Sequence, residues 1–268
     1  MSGRLTQPGA AHTQVRFGQA KPQAQQPGQA FALGDVAGLG SVDFQHAYAV
    51  LTERVEKNVR ELAASVGSDL CVEMDARDDG SIKAAFDTAV GALGGLDLLV
   101  HSIAFAQAHD LQQRFIETKR DDFWLAVDVS AYSLVAMARE AEPHMEARGG
   151  GSIVTMTYLG GERAVPGYNV MGVAKSALDS CMRYLAADLG PKNIRVNAVS
   201  AGPIKTISAM GIGGFSSILN VYKERAPLRR NVDTAEVGDA ATFLLSDAAR
   251  GITGEVLMVD SGYHVTGM

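Results

Sequence analysis

Hydrophobic and polar positions follow a regular order along most of the chain. Between residues 69 and 259, short apolar runs alternate with longer segments in which apolar residues recur every three or four positions. The run over residues 96–101 is apolar at successive positions, as expected for a central strand that is buried on both faces. The apolar runs predict strands over residues 69–74, 96–101, 152–157, 194–199 and 255–259.

The segments between the runs have the period of amphipathic helices. Residues 44–64 place Val50, Val55 and Val59 on one face, which predicts a helix that begins near Val42. Further helices are predicted over residues 78–92, 120–147, 168–189 and 234–245, and shorter ones between 201 and 228. Strands separated by helices of this length predict class α/β, with a single Rossmann-like domain built on a doubly wound parallel sheet.

The N-terminal part of the chain lacks this pattern. Residues 1–30 are rich in Gln, Gly, Ala and Pro and contain few aliphatic residues, so they read as a tail. We therefore divide the chain into an atypical low-complexity segment, residues 1–41, and a Rossmann-like domain, residues 42–268.

A doubly wound domain usually begins with a strand, a glycine-bearing loop, a helix and a second strand, and that loop binds pyrophosphate. The glycine-rich stretch at residues 33–41 lacks the dinucleotide-binding spacing, and no apolar first strand precedes it. We predict that this first unit is missing, and we hypothesise that a frameshift or a wrongly chosen start replaced it. Its loss would remove the pyrophosphate site and uncover an edge of the sheet.

Composition narrows the classes of function. The net charge of -6 argues against a nucleic-acid surface, and no apolar run reaches the length of a membrane span. Two cysteines in 268 residues do not form a disulfide framework, so we expect a cytoplasmic protein. No group of His, Cys and carboxylate residues has metal-ligand spacing, and no metal is predicted.

Candidate catalytic residues occur around the fourth predicted helix. Tyr168 and Lys175 are seven residues apart, about two helical turns, so both side chains point to one face. A second tyrosine, Tyr158, precedes Tyr168 by ten residues. A Tyr–Lys pair spaced by four residues, which most short-chain dehydrogenases have, is absent because position 172 is Gly.

Several further motifs accompany this pair in order. They are VHSIAFA at 100–106, YNVMG at 168–172, RVNAVSAGPIKT at 195–206, PLRR at 227–230, GITGEV at 251–256 and VDSGY at 259–263. With these motifs, residues 54–268 resemble the bacterial enoyl-acyl-carrier-protein reductases of the short-chain dehydrogenase/reductase superfamily. The resemblance implies that a trans-2-enoyl thioester on acyl carrier protein is reduced by NADH, with NADPH left open.

The resemblance also implies roles for individual residues. Tyr168 would donate a hydrogen bond to the thioester oxygen as negative charge develops there, and Tyr158 would lie near the same carbonyl group. Lys175 would bind the nicotinamide ribose, and its ammonium group would make the phenol of Tyr168 more acidic. Ala106 would approach the substrate.

Other residues would bind the dinucleotide. The resemblance assigns the adenine to Asp75 and Ala76, the adenosine ribose to Ser102, Ile103 and Ala104, the carboxamide to Ile204, and the pyrophosphate region to Thr206 and Ser208. The family often has Gly at the position of Ala104. Residues 209–215 are glycine-rich and apolar, which suits a lid over an acyl chain. His101 reads as a packed histidine at a strand end.

The family also implies a homotetramer, with an interface on the long helices around Val127 and Ser180 and on the C-terminal strand. No nucleic-acid or membrane partner is expected. Two alternatives stay open. One is a ketoacyl reductase or alcohol dehydrogenase of the same superfamily, and the other is a non-catalytic remnant without a cofactor site.

Overall fold

A computed structural model describes residues 14–19, 45–50, 53–65, 67–204 and 215–266. Within these ranges, seven strands form one sheet in the order β3-β2-β1-β4-β5-β6-β7. The strands are β1 (Gln14–Gln19), β2 (Gln45–Val50), β3 (Cys71–Glu73), β4 (Leu98–Ser102), β5 (Gly151–Thr157), β6 (Ile194–Ala201) and β7 (Val256–Val259).

The helices of the described ranges connect these strands. They are α1 (Glu53–Ser65), α2 (Asp79–Leu93), α3 (Arg120–Val127), α4 (Ser133–Ala147), α5 (Asn169–Leu189), α6 (Phe215–Arg225) and α7 (Thr234–Leu245). A turn of π-helix, Asp128–Tyr132, joins α3 to α4. Both ends of α2 are capped: the carboxylate of Asp78 accepts from Gly80 N at 2.8 Å, and Gly94 ends α2 with a φ of 74°.

The direction of the strands agrees with the α/β, Rossmann-like fold that the sequence predicts, with one departure. β2 pairs in parallel with β3, and β4 to β7 pair in parallel with one another. β1 is antiparallel to both of its neighbours, β2 and β4. Gln14 therefore pairs with Ser102, and Gly18 with Leu98, so that β1 starts at the edge of the sheet where the parallel strands end.

Hydrophobic cores lie on both faces of the sheet, as a doubly wound fold requires. One core combines Ile153 of β5 and Val196 of β6 with residues of α2, α4 and α5. The next residue of β5, Val154, faces the opposite way and packs with residues of α7. Successive strand residues thus serve different layers, which explains why the predicted strands are apolar at consecutive positions.

Three predictions about elements were wrong. Residues 45–50 form strand β2, and the helix begins only at Glu53. The apolar run in β2 fits a strand as well as a helix, and pairing with β1 and β3 decides the outcome. Residues 14–19 form β1 inside the predicted tail, where Val15 and Phe17 alternate with Arg16 and Gly18 over too few positions to be recognised. The single helix predicted over residues 120–147 is divided by the π-turn.

Among the helices that the structure describes, none combines the length and apolar character that a membrane crossing requires.

Candidate active site

The predicted site residues collect at one edge of the sheet, where the parallel strands end. Asp75 and Ala76 follow β3, and Ser102 ends β4 directly before Ile103 and Ala104. Tyr158 follows β5 and Ile204 follows β6 in the same way. Thr206 and Ser208, together with most of the predicted lid, lie outside the described residues. The carboxyl edge therefore carries the side chains to which the sequence assigns cofactor and substrate.

The two tyrosines are in direct contact at this edge. The rings of Tyr158 and Tyr168 meet edge to face, with centroids 4.9 Å apart and an interplanar angle of 73°. A single turn of 3₁₀ helix, Leu159–Gly161, directly follows Tyr158. A Cβ atom on Gly160 would overlap the ring of Tyr168, so glycine at this position allows the two rings to approach.

Lys175 lies on α5, which begins directly after Tyr168, and is 6 % exposed. Its Nζ donates a hydrogen bond to the carbonyl oxygen of Met156 at 2.7 Å. Burial lowers the pKa of Lys175 to about 8, although the nearby carboxyl group of Asp179 acts to raise the pKa. The side chain is therefore an ammonium ion at neutral pH, but it is close to losing its proton.

Burial also sets the protonation of Tyr168. The pKa of Tyr168 is raised, first because burial disfavours the phenolate and then because Tyr158 and Asp179 are close. The prediction that the ammonium group of Lys175 makes this phenol more acidic was wrong in its net direction, because desolvation is the largest influence. Tyr168 is consequently a neutral hydrogen-bond donor throughout the physiological range of pH.

The loop after β4 is held by a residue that the sequence analysis missed. Ser130 lies in the π-turn and is fully buried. Its hydroxyl group accepts from Phe105 N at 2.9 Å and donates to Phe105 O at 3.2 Å. Phe105 lies between Ala104 and Ala106, so Ser130 fixes the backbone that carries both predicted contacts. No spacing rule points to Ser130, since the π-turn is not visible in the sequence.

Asp75 is engaged within its own turn. Its carboxylate accepts from Arg77 Nη2 at 2.7 Å and from Arg77 Nε at 3.0 Å, and the pKa of Asp75 is lowered chiefly by these hydrogen bonds. The backbone N–H of Asp75 donates to Ser81 Oγ at 2.9 Å. Asp78, not Asp75, caps α2. The backbone N–H of Arg77 also donates to this carboxylate, at 2.9 Å, so three of its about four lone-pair sites are occupied and Asp75 retains capacity for one more donor such as an adenine amino group.

Comparison with known proteins identifies the family. The sequence model described as "Enoyl-(Acyl carrier protein) reductase" matches residues 37–264. The chain belongs to this family. It is 53 % identical over 217 residues to the enoyl-[acyl-carrier-protein] reductase [NADH] FabI of Bacillus cereus, covering 80 % of this chain and 84 % of that protein. It is 47 % identical over 238 residues to the [NADPH] FabI of Staphylococcus aureus, covering 88 % of this chain and 92 % of that one.

Solved structures of enoyl-acyl-carrier-protein reductases give the same result. The Aquifex aeolicus reductase (NADH) superposes with a TM-score of 0.80 at 46 % identity, over 83 % of this chain and 86 % of that one. The Bacillus cereus reductase in complex with NADP+ and indole naphthyridinone superposes with a TM-score of 0.79 at 52 % identity, over 82 % and 86 %. The Rossmann-like fold is therefore the fold of this reductase family.

His101 lies in β4, directly before Ser102 of the reductase site. It is fully buried, with Nε2 at 2.8 Å from Ser133 Oγ and Nδ1 at 2.9 Å from Thr155 Oγ1. The proton of the Ser133 hydroxyl is donated to Val129 O, so Nε2 must carry the ring proton and Nδ1 accepts from Thr155. Burial, with help from Lys175, lowers the pKa of His101 to about 3. His101 is a neutral, packed histidine, as the sequence indicated.

Three side chains other than the tyrosine pair lie close enough together to bind a metal ion. Their spacing in the sequence did not predict this group. They are His109, Asp110 and Asp122, whose donor atoms lie within 4.8 Å of one another. His109 Nε2 is 3.1 Å from Asp122 Oδ2, and Asp110 Oδ1 accepts from Gln113 at 2.7 Å. The contact of His109 with Asp122 joins the start of α3 to the loop after β4 through a hydrogen bond.

Proposed function

We propose that this protein reduces trans-2-enoyl thioesters on acyl carrier protein, with NADH as the reductant, in fatty-acid synthesis. The observation that carries the proposal is the contact between Tyr158 and Tyr168, together with the buried Lys175, whose Nζ donates to Met156 O two residues before Tyr158. Membership of the enoyl-acyl-carrier-protein reductase family supports the same reaction. Some relatives are named for NADPH, and NADPH stays open as the alternative cofactor.

The described residues fit a nicotinamide nucleotide. A lysine ammonium has three N–H donors, and Met156 O accepts one of them, so Lys175 can also donate to the hydroxyl groups of a ribose. We assign the adenine to Asp75 and Ala76, the adenosine ribose to Ser102, Ile103 and Ala104, and the carboxamide to Ile204. Thr206 and Ser208 are assigned to the pyrophosphate by resemblance. When bound, NADH supplies the hydride that adds to the β-carbon of the enoyl group.

The residues of the chain stabilise the charge that this addition creates. Negative charge develops on the thioester oxygen, and a donor that meets it there lowers the barrier. Tyr168 is the proposed donor, because burial raises its pKa and keeps the phenol protonated. Tyr158 lies against its ring and is placed near the same oxygen. Ala106 is assigned to the substrate side of the loop that Ser130 holds.

The reaction is tested by following NADH absorbance with a crotonyl thioester. We expect turnover by the wild type, and a fall of at least about 100-fold for Tyr168→Phe or Lys175→Ala, since transition-state donors contribute two to three orders of magnitude. An acetoacetyl thioester tests the alternative ketoacyl reductase. Faster turnover with acetoacetyl than with crotonyl thioester would overturn the enoyl reductase in favour of that alternative.

We make a separate proposal for the N-terminal segment. We infer that residues 1–41 do not supply the usual first unit of the domain, 42–268, and that NADH binding is weakened as a result. The connection from β1 to β2 begins and ends at the edge of the sheet opposite the site, because Gln19 pairs with Gln45 there. A loop that binds pyrophosphate would start from the other edge, where the parallel strands end. NADH titration of the chain with its own N-terminus and with that of a family member is the test. Equal affinities would contradict the proposal, and no binding by the first would favour a non-catalytic remnant.

We further propose a cytoplasmic homotetramer without nucleic-acid or membrane partners. Large apolar side chains on the helices around Val127 and Ser180 support an interface there, because Trp124 is 58 % exposed and Tyr184 is 74 % exposed. Sedimentation of the wild type and of Trp124→Glu and Tyr184→Glu variants tests it. A monomeric wild type would contradict the proposal, as would tetramers of unchanged stability in both variants.

A further inference from the structure

A third tyrosine reaches the catalytic pair from helix α6. Tyr222 is 3 % exposed, and its ring stacks on Tyr263, with centroids 3.7 Å apart and an interplanar angle of 17°. Stacking on one face and burial on the other fix the plane of the ring, so the direction of its hydroxyl group is fixed as well. Tyr222 therefore presents its hydroxyl group rigidly to whatever lies beyond it.

That neighbour is Tyr158. Tyr222 Oη donates to Tyr158 Oη at 3.3 Å, and the ring of Tyr158 meets Tyr168 at 4.9 Å. A phenol has one proton and two acceptor lone pairs. When Tyr158 accepts from Tyr222, its own proton is left for a different acceptor. The hydrogen bond thus determines which way the Tyr158 hydroxyl group donates.

The electrostatics of the pair agree with this direction. The hydrogen bond from Tyr222 acts to lower the pKa of Tyr158, although burial raises that pKa overall. The pKa of Tyr222 is raised, mainly by burial and further by Tyr158. Both phenols therefore keep their protons at neutral pH, and the proton of Tyr158 stays available for another acceptor.

We propose that Tyr222 is a positioning residue, which orients the hydroxyl group of Tyr158 so that its proton is directed to the carbonyl oxygen of the enoyl thioester. The proposal rests on the enoyl reductase activity proposed above. In this proposal Tyr222 acts through Tyr158 and does not itself touch the reacting atoms. Its distance of 64 residues along the chain from Tyr158 explains why no motif around the Tyr–Lys pair includes it.

A double-mutant cycle with crotonyl thioester and NADH tests the proposal. Tyr222→Phe removes the hydroxyl group and keeps the stacked ring. In the wild-type background we expect kcat to fall about 3- to 10-fold, the range of one neutral hydrogen bond, with the KM for NADH unchanged. In the Tyr158→Phe background the same substitution is expected to leave kcat unchanged. Tyr263→Phe, which removes a hydroxyl group from the same stack, is the control and is expected to change kcat less than about twofold.

The outcomes separate this proposal from the proposed reaction. An equal fall of kcat in both backgrounds would show that Tyr222 acts on the fold alone, and an unchanged kcat in the wild-type background would show that it does not act at all. Either result overturns the positioning role but leaves the enoyl reductase activity intact. A wild type that oxidises no NADH with the enoyl thioester overturns both. Melting temperatures of all variants check that each is folded.

Discussion

Gly172 packs so closely against Gly160 that a Cβ atom on Gly172 would lie 2.7 Å from the carbonyl oxygen of Gly160. Position 172 is the fourth after Tyr168, where most short-chain dehydrogenases have their lysine. A side chain there would displace the 3₁₀ turn Leu159–Gly161, which directly follows Tyr158. The close contact therefore excludes a lysine from position 172 unless this turn moves.

This contact predicts the effect of adding one methyl group. Gly172→Ala is expected to lower the free energy of unfolding by about 1–3 kcal/mol through overpacking, and to reduce kcat because the Tyr158 turn must move. Gly91→Ala is the matched control, since Gly91 also lies in a helix and has open space around it. We expect the control to raise stability by about 0.5–1 kcal/mol. Urea unfolding of both variants measures the difference, and equal effects would contradict the prediction.

The Ser130 hydroxyl group predicts a change in ligand binding. Ser130→Ala leaves the N–H and C=O groups of Phe105 without this partner, which should lower the free energy of unfolding by about 1–3 kcal/mol and raise the KM for substrate. Ser152→Ala is the control: Ser152 is also buried, but it lies near the start of β5, away from the site, and its hydroxyl group donates to Leu244 O of α7. Steady-state kinetics should show a raised KM for Ser130→Ala only, and a raised KM in both variants would count against the loop assignment.

Lys175 predicts a dependence of cofactor binding on pH. Its pKa of about 8 means that the ammonium form is lost as pH rises through 8. Because one pH unit changes the charged fraction of a titrating group up to tenfold, NADH affinity should weaken by up to about tenfold between pH 7 and 9. Fluorescence titration measures this change. Lys175→Met should bind weakly at both pH values, and a variant that kept the wild-type dependence would exclude Lys175 as its origin.

His101 predicts a loss of stability in acid. Its folded pKa of about 3 lies below the model-peptide value of 6.5, so between these values the unfolded chain binds more protons than the folded chain. Stability is therefore complete above pH 6.5 and falls as pH drops toward 3, by at most about 1.4 kcal/mol per pH unit from this group. Denaturant unfolding at pH 7, 6 and 5 measures the slope.

Substitution of His101 checks whether this histidine causes the dependence of stability on pH. His101→Gln should flatten the slope, whereas His144→Gln, on the partly exposed side of α4, should keep it. A slope that is unchanged in His101→Gln would assign the acid sensitivity to other groups.

Sequence patterns predicted the central fold well where local and long-range forces agree. The helix over residues 234–245 was predicted with its observed bounds, because Asp233 and Glu236 form a capping box at its start. Strand β2 was misjudged, because its apolar run has no period that separates strand from helix, and only pairing with β1 and β3 decides.

The candidate site was likewise predicted only in part. Tyr168 directly precedes α5 and Lys175 lies on it, so their spacing in the sequence pointed to a pair at the start of one helix. Ser130 and Tyr222 reach the site through a π-turn and through a contact between distant parts of the chain, and neither leaves a pattern in local sequence. The influence of burial on the pKa of Tyr168 depends on packing, so a prediction from neighbouring charges alone had the wrong sign.

The reversed direction of β1 has a practical consequence for protein engineering. Gln14 pairs with Ser102, so a peptide fused directly ahead of Gln14 begins at the rim where the cofactor is expected. Gln19 pairs with Gln45 at the far rim, so an insertion directly after Gln19 begins on the side away from it. An affinity tag or fluorescent reporter should accordingly be inserted after β1 if it is to leave the entrance clear, whereas a crosslinking probe for a bound nucleotide belongs ahead of it.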